Sequence, residues 1–129
     1  MNKLDKDSVI GISALLVHAA NIDEIYSDHE KELILSFIKS YLNDGQANEI
    51  LNEAEEVEKN SNQLLNYTNI IKQKSIEIKK EIINHLWKVI ISDNTVDQYE
   101  SNLMRRICGL IYFPDKECAE IKLKLMNKK

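Results

Sequence analysis

Apolar positions recur at three- and four-residue spacing along most of the chain, and no stretch shows the strict alternation of a half-buried strand. The first run spans residues 7–21. It puts Val9, Ile12, Leu15, Leu16, Ala19 and Ala20 on one helical face, and Ile10 and Val17 widen that face. A helix apolar on most sides belongs at the centre of its domain, and Asp7 or Ser8 is its expected N-cap. Helix 2 opens on Ser27-Asp28-His29-Glu30, a capping box in which Ser27 and Glu30 satisfy each other's backbone N–H. It carries Leu33, Ile34, Phe37, Ile38, Tyr41 and Leu42 to Asn43-Asp44-Gly45, where Gly45 is expected to take the positive φ of a helix exit.

Helix 3, at 46–59, has a thin stripe of Ile50, Leu51, Ala54 and Val57 among five glutamates spread around a solvated face. Helix 4, at 63–74, is expected to bury Leu64, Leu65, Ile70 and Ile71. Ser75 restarts the chain into helix 5, at 76–92, with Ile78, Ile82, Ile83, Leu86, Val89 and Ile90 inward, Trp87 as a central anchor and Lys79 and Lys80 on the exposed early face. Helix 6, at 98–112, turns Leu103, Met104, Ile107, Cys108 and Ile111 inward and Arg105 and Arg106 outward. Phe113-Pro114-Asp115 stops it, because proline cannot continue a helix, and Asp115 is the expected cap of helix 7 at 116–126, where Cys118, Ile121, Leu123 and Leu125 are the candidate contacts. The pattern predicts an all-α fold of about seven helices in a single domain, 1–129.

The pattern also repeats. At an offset of seventy residues Ile12, Leu16, Ala19 and Ala20 fall on Ile82, Leu86, Val89 and Ile90. Leu33, Ile34, Phe37, Ile38 and Tyr41 fall on Leu103, Met104, Ile107, Cys108 and Ile111. Helices 1–2 therefore match helices 5–6, and two such hairpins are most simply related by a pseudo-twofold axis, with helices 3–4 as the crossover. The bends match as well: Asp23 with Asp93, Ser27 with Asp97, Glu30 with Glu100.

Composition narrows the functional classes. The chain has 129 residues, 43% hydrophobic and 29% charged, an ordinary globular balance. A net charge of −4 argues against a nucleic-acid partner, which requires clustered Lys and Arg. The acidic start, Asp5 and Asp7 among the first residues, does not suit a signal peptide. The uncharged run 8–22 is shorter than the ~20 residues of a membrane span, so a core helix is expected there. Cys108 and Cys118, ten apart, are expected to be core or half-buried thiols in a reducing compartment. His18 is expected to be a satisfied or half-exposed core residue, and His29 an exposed first-turn residue.

Leu86-Trp87-Lys88-Val89, Asp93, Val96-Asp97-Gln98-Tyr99-Glu100 and Leu103-Met104-Arg105-Arg106-Ile107 together resemble the signature of the TerB-like tellurite-resistance family. Leu15-Leu16-Val17 leading to Asp23 and Glu30 resembles its partner segment. The resemblance runs almost the whole chain, to Lys124. It implies an internally duplicated all-helical domain in a bacterial protein, cytoplasmic or associated with a membrane through partners. The tellurite link belongs to some members only. It also implies a divalent cation held by acidic residues at the bends, here Asp23, Glu30, Asp93, Asp97 and Glu100. Where the family bend typically reads Asp-Gly-Glu, this chain has Glu24 and Asn94 after the aspartates, and Ser27 stands where an acid is common.

Two readings of the bends stand side by side. Asp97 and Glu100, like Ser27 and Glu30, have a complete task as helix-starting groups, each worth on the order of 1 kcal/mol. Asp23 and Asp93 end the preceding helices, where the macrodipole disfavours a negative charge. Asx-turns explain them on the structural reading, and ligation of Ca²⁺ or Mg²⁺, which take oxygen donors, on the other. An EF-hand is excluded, since its sixth and twelfth positions counted from Asp93 are Gln98 and Met104. No Glu-x-x-His pair supports a di-iron bundle, and no phosphate loop or nucleophile with an evident base occurs. The expectation is a non-enzymatic module that binds a protein partner through an acidic surface. The alternatives are an enzyme using Asp23 or Asp93 as base in a groove between the repeats, and a dimerisation module using the mixed face of helix 7, so the chain is expected as monomer or homodimer.

Overall fold

A computed structural model describes residues 5–21, 27–42, 44–60, 64–91 and 98–127, with backbone only at 44, 64–66 and 98–100. Its helices are α1 (Lys6–Ala20), α2 (Asp28–Lys39), α3 (Ala47–Asn60), α4 (Leu64–Lys72), α5 (Ile76–Ile91), α6 (Gln98–Leu110) and α7 (Asp115–Asn127), with a 3₁₀ turn (Asp44–Gln46) before α3. The fold is all-α, with seven α-helices and no strand among the described residues.

α1 is the centre of the bundle and packs against α2, α3, α4 and α5. That placement follows from its sequence: Val9, Ile12, Ala14, Leu15 and Leu16 are fully buried although they point around much of the helix. α3 also packs on α2, α5 on α2 and α7, and α6 on α4 and α7. Positions seventy apart have similar burial. Ile12 and Ile82, Leu16 and Leu86, and Phe37 and Ile107 are all at 0% exposure, and Ile34 and Met104 at 0% and 1%. α5 is the less enclosed of the two central helices. Ala14 and Leu15 are buried in α1, whereas their counterparts Asn84 and His85 are half-buried.

Lys79, expected on the exposed face, is buried. Its aliphatic stem can lie along the core surface. Val57, expected inward on α3, is 39% exposed. Glu58, four residues after the buried Ala54, takes the inward place instead and approaches His18 Nδ1 at 3.5 Å. Leu123 is 56% exposed because Cys118, Ile121 and Leu125 form the inner stripe of α7, and Leu123 lies on the far side. Tyr67 and Thr68 of α4 are buried without having been expected there, while Ile71 is buried as expected. The expected burial of Leu64 and Leu65 falls on side chains outside the described ones.

Helix ends differ from the simple reading where side chains intervene. α1 starts at Asp5, whose Oδ1 accepts the Ser8 N–H at 2.7 Å, and Asp7 lies in the first turn, favourable to the macrodipole. α2 stops at Lys39 rather than running to residue 43. The Ser40 hydroxyl donates to the Phe37 carbonyl at 2.6 Å, and the chain turns into the 3₁₀ segment. No described glycine has positive φ, so Gly45 does not make the expected exit. Among the described residues it is Tyr112 that is left-handed, at φ 60°. It ends α6 at Leu110, two residues short of expectation, with the Phe113 N–H donating to the Cys108 carbonyl at 2.8 Å. This 6→1 bond is a Schellman closure with tyrosine where glycine is usual. Asp115 is then the first residue of α7 rather than its cap, with the Cys118 N–H donating to the Pro114 carbonyl at 3.1 Å.

Candidate functional site

Of the five acidic residues expected at the bends, Asp23, Asp93 and Asp97 lie outside the described residues. Glu100 is placed in the first turn of α6, but its side chain is outside them. Glu30 is described in full, and it does what a capping box requires. Its Oε1 accepts the Ser27 N–H at 2.8 Å and the Ser27 hydroxyl at 3.2 Å, and its own N–H donates to Ser27 Oγ at 3.2 Å. Glu30 is 7% exposed, so this bonding takes place largely out of water. Glu30 therefore fits the helix-starting reading. Among the described residues no three His, Cys, Asp or Glu gather in the manner of a metal site. Asp28 and His29 beside Glu30 are exposed, as expected of His29.

Three other polar constellations are ordered by the packing. On α1, His18 is half-buried between Glu58 and the tilted ring of Tyr67, 6.2 Å away between centroids. Between α2 and α5, the Tyr41 hydroxyl donates to Glu81 Oε2 at 2.6 Å. Burial and then this carboxylate push the Tyr41 phenol well above its ordinary range. His85, one turn beyond Glu81, meets Phe37 edge-on at 5.1 Å. Burial, reinforced by Lys88 and opposed by Glu81, pulls His85 down to about 4, so it is neutral near pH 7.

The third constellation lies where α5, α6 and α7 meet. A cavity of about 510 Å³ opens there, lined in part by Trp87, Ser101, Arg105, Asp115, Cys118 and Lys122. Trp87 Nε1–H is shared between the Cys118 carbonyl at 3.1 Å and Cys118 Sγ at 3.3 Å. Lys122 Nζ stands 5.4 Å from the Trp87 ring centroid. The two cysteines are free and buried, as expected, but they are not independent: the neighbouring Cys118, and then burial, push the Cys108 thiol up. The Phe113-Pro114 reversal brings α7 back along α6, so residues ten apart in sequence meet. Position alone did not show this. The signal available in the sequence was that the two cysteines flank a proline-marked turn.

The described residues form an all-helical bundle centred on α1. Compared with known families, residues 10–123 match the model described as tellurite resistance protein TerB, and the chain belongs to that family. No curated protein and no solved structure matches it.

Proposed function

We propose that this chain is a non-enzymatic, tellurite-resistance-related interaction module of the cytoplasm. Its two hairpins, α1–α2 and α5–α6, are related by a pseudo-twofold axis. Its bends hold a divalent cation, Ca²⁺ or Mg²⁺, through Asp23, Glu30, Asp93, Asp97 and Glu100, and the acidic surface so organised meets a protein partner. The observation that carries the reading is the family match across 10–123, which includes both bends and the full seventy-residue repeat.

Two features support the partner clause. α7 leaves Leu123 and Met126 at 56% and 41% exposure. On the other side of α7 a shallow cavity of about 470 Å³ runs between α5 and α7, with Ile121 and Leu125 as its apolar floor and Lys80, Glu81 and Lys124 around it. A partly apolar groove with a charged rim suits a protein surface. No described helix is long and apolar enough to cross a membrane.

Calorimetric titration of the metal-free protein with Ca²⁺, Mg²⁺ and Zn²⁺ tests the cation clause. A saturable response to Ca²⁺ or Mg²⁺ that is lost in Asp93→Asn/Asp97→Asn is the expected result. A silent titration, or one indifferent to the double substitution, removes it. Light scattering over a concentration series decides between monomer and homodimer.

A further inference from the structure

We propose that the cavity between α5, α6 and α7 binds a small amphipathic monoanion, a carboxylate on a short apolar body, with Arg105 and Lys122 as the pair that takes the carboxylate. The inference goes beyond the acidic bends and does not depend on the cation reading. The cavity holds about 510 Å³, within the range of small-molecule sites. Two helical faces make its walls. Ser101, Met104 and Arg105 lie on one face of α6, and Asp115, Cys118, Ala119 and Lys122 on one face of α7, at spacings of three and four residues. The Phe113-Pro114 reversal sets these faces toward each other, and Trp87 of α5 completes the lining.

The charges select the sign of the ligand. Arg105 is exposed and Lys122 half-buried, and neither has an ion-pair partner among the described residues. They come from opposite walls, so an anion in the cavity can be met from both sides. Lys122 Nζ is held 5.4 Å from the Trp87 ring centroid, over an aromatic face rather than out in water. Asp115 is the one acid among the described lining residues. Two cations against one acid leave this lining positive, although the whole chain carries −4. A single surplus charge suits a monoanion better than a dianion.

The rest of the lining sets the body of the ligand. Trp87, Met104 and Cys118 supply the apolar floor. They are only 4%, 1% and 6% exposed, so the floor is narrow and fits a short chain or a single ring. The Trp87 indole N–H is already shared between the Cys118 carbonyl at 3.1 Å and Cys118 Sγ at 3.3 Å. The indole therefore offers a ligand its apolar surface rather than a hydrogen bond, and the neutral polar group of the lining is the Ser101 hydroxyl. Both arginines of α6 point away from the core, but Arg105 lines the cavity and Arg106 does not. The pair supplies its own control, the same charge one residue apart.

The test titrates octanoate into the full chain with EDTA present, so that no cation at the bends takes part and the two readings fail separately. Trp87 is the single tryptophan, and its fluorescence reports on the cavity directly; calorimetry runs beside it. A saturable response with a Kd on the order of 1 mM is expected of a small ligand meeting two solvent-screened cations. Octanol, octylammonium and inorganic phosphate, which each lack one half of the proposed ligand or reverse its charge, should bind at least about fivefold more weakly. Arg105→Gln and Lys122→Gln should each weaken octanoate by about fivefold, and Arg106→Gln by less than about twofold. Circular dichroism identifies which variants fold. If Lys122→Gln does not, the four probes on the wild type and the comparison of Arg105→Gln with Arg106→Gln still decide. The proposal is overturned if octanoate gives no saturable response by either method, or if any of the other three probes binds as tightly. It is also overturned if a folded Arg105→Gln or Lys122→Gln binds octanoate unchanged, or if Arg106→Gln weakens it as much as Arg105→Gln.

Discussion

Replacing Glu30 separates the two tasks that a bend carboxylate can have. Glu30 is 7% exposed, and its Oε1 takes both the Ser27 N–H at 2.8 Å and the Ser27 hydroxyl at 3.2 Å. Glu30→Ala removes that acceptor and leaves a half-buried N–H without it, at a cost of about 1 kcal/mol. It also removes a negative charge from the first turn of α2, roughly 0.5 kcal/mol more. Glu30→Gln keeps an amide oxygen in the same place, and glutamine serves in a capping box. The charge at the first turn is lost, for about 0.5 kcal/mol. At about 3–5 °C per kcal/mol for a domain of this size, alanine should lower Tm by roughly 5–7 °C and glutamine by about 2 °C. The assay is thermal unfolding followed by circular dichroism, with urea unfolding to fix the free energies and each variant measured with and without Ca²⁺. If glutamine is as harmful as alanine without added cation, the position supplies charge rather than a cap, and the capping account of Glu30 is refuted.

Three further outcomes follow from the packing. Ser13 Oγ is buried in α1 with no hydrogen-bond partner; Ser13→Ala should raise stability by about 1 kcal/mol through relief of desolvation and better helix propensity, and a loss of stability in urea unfolding would contradict the orphaned hydroxyl. His85 sits at about 4 when folded against 6.5 ordinarily, chiefly from burial, so the unfolded chain binds the proton first. Stability should therefore fall as pH drops from about 6.5 to about 4, by up to about 3 kcal/mol, and His85→Phe should flatten that part of the pH–stability curve if the assignment is right. At Tyr112, φ 60° favours glycine, while Lys72 Nζ lies 5.1 Å from the ring centroid; Tyr112→Gly should be neutral or stabilising by about 0.5 kcal/mol and Tyr112→Val destabilising by about 1–2 kcal/mol, and the reverse order in Tm would show that the backbone there is not left-handed.

Helical periodicity made most of the fold legible. The inner faces of α1, α2, α5 and α6 follow directly from apolar spacing, because burial is the dominant favourable term and it selects those faces. What spacing missed was set by single side chains. Ser40 ends α2 early by taking the Phe37 carbonyl, Tyr112 adopts a conformation its side chain does not advertise, and Glu58 displaces Val57 by pairing with His18. Lys79 is an instructive miss, since its charge marked it as exposed while the structure buries it. At the bends, Glu30 was legible as a cap because a capping box is local chemistry within four residues. The meeting of Cys108 with Cys118 was not legible, because it depends on how tightly the Phe113-Pro114 turn folds α7 back.

The central claim is that the two bends act together on one cation, and nitrogen-15 chemical-shift mapping during a Ca²⁺ or Mg²⁺ titration tests it most directly. The account predicts that amides of residues 22–30 and 92–100 shift together along one saturating curve, with the rest of the chain nearly still. Shifts confined to one bend, scattered over the glutamates of α3, or absent at saturating cation would contradict it.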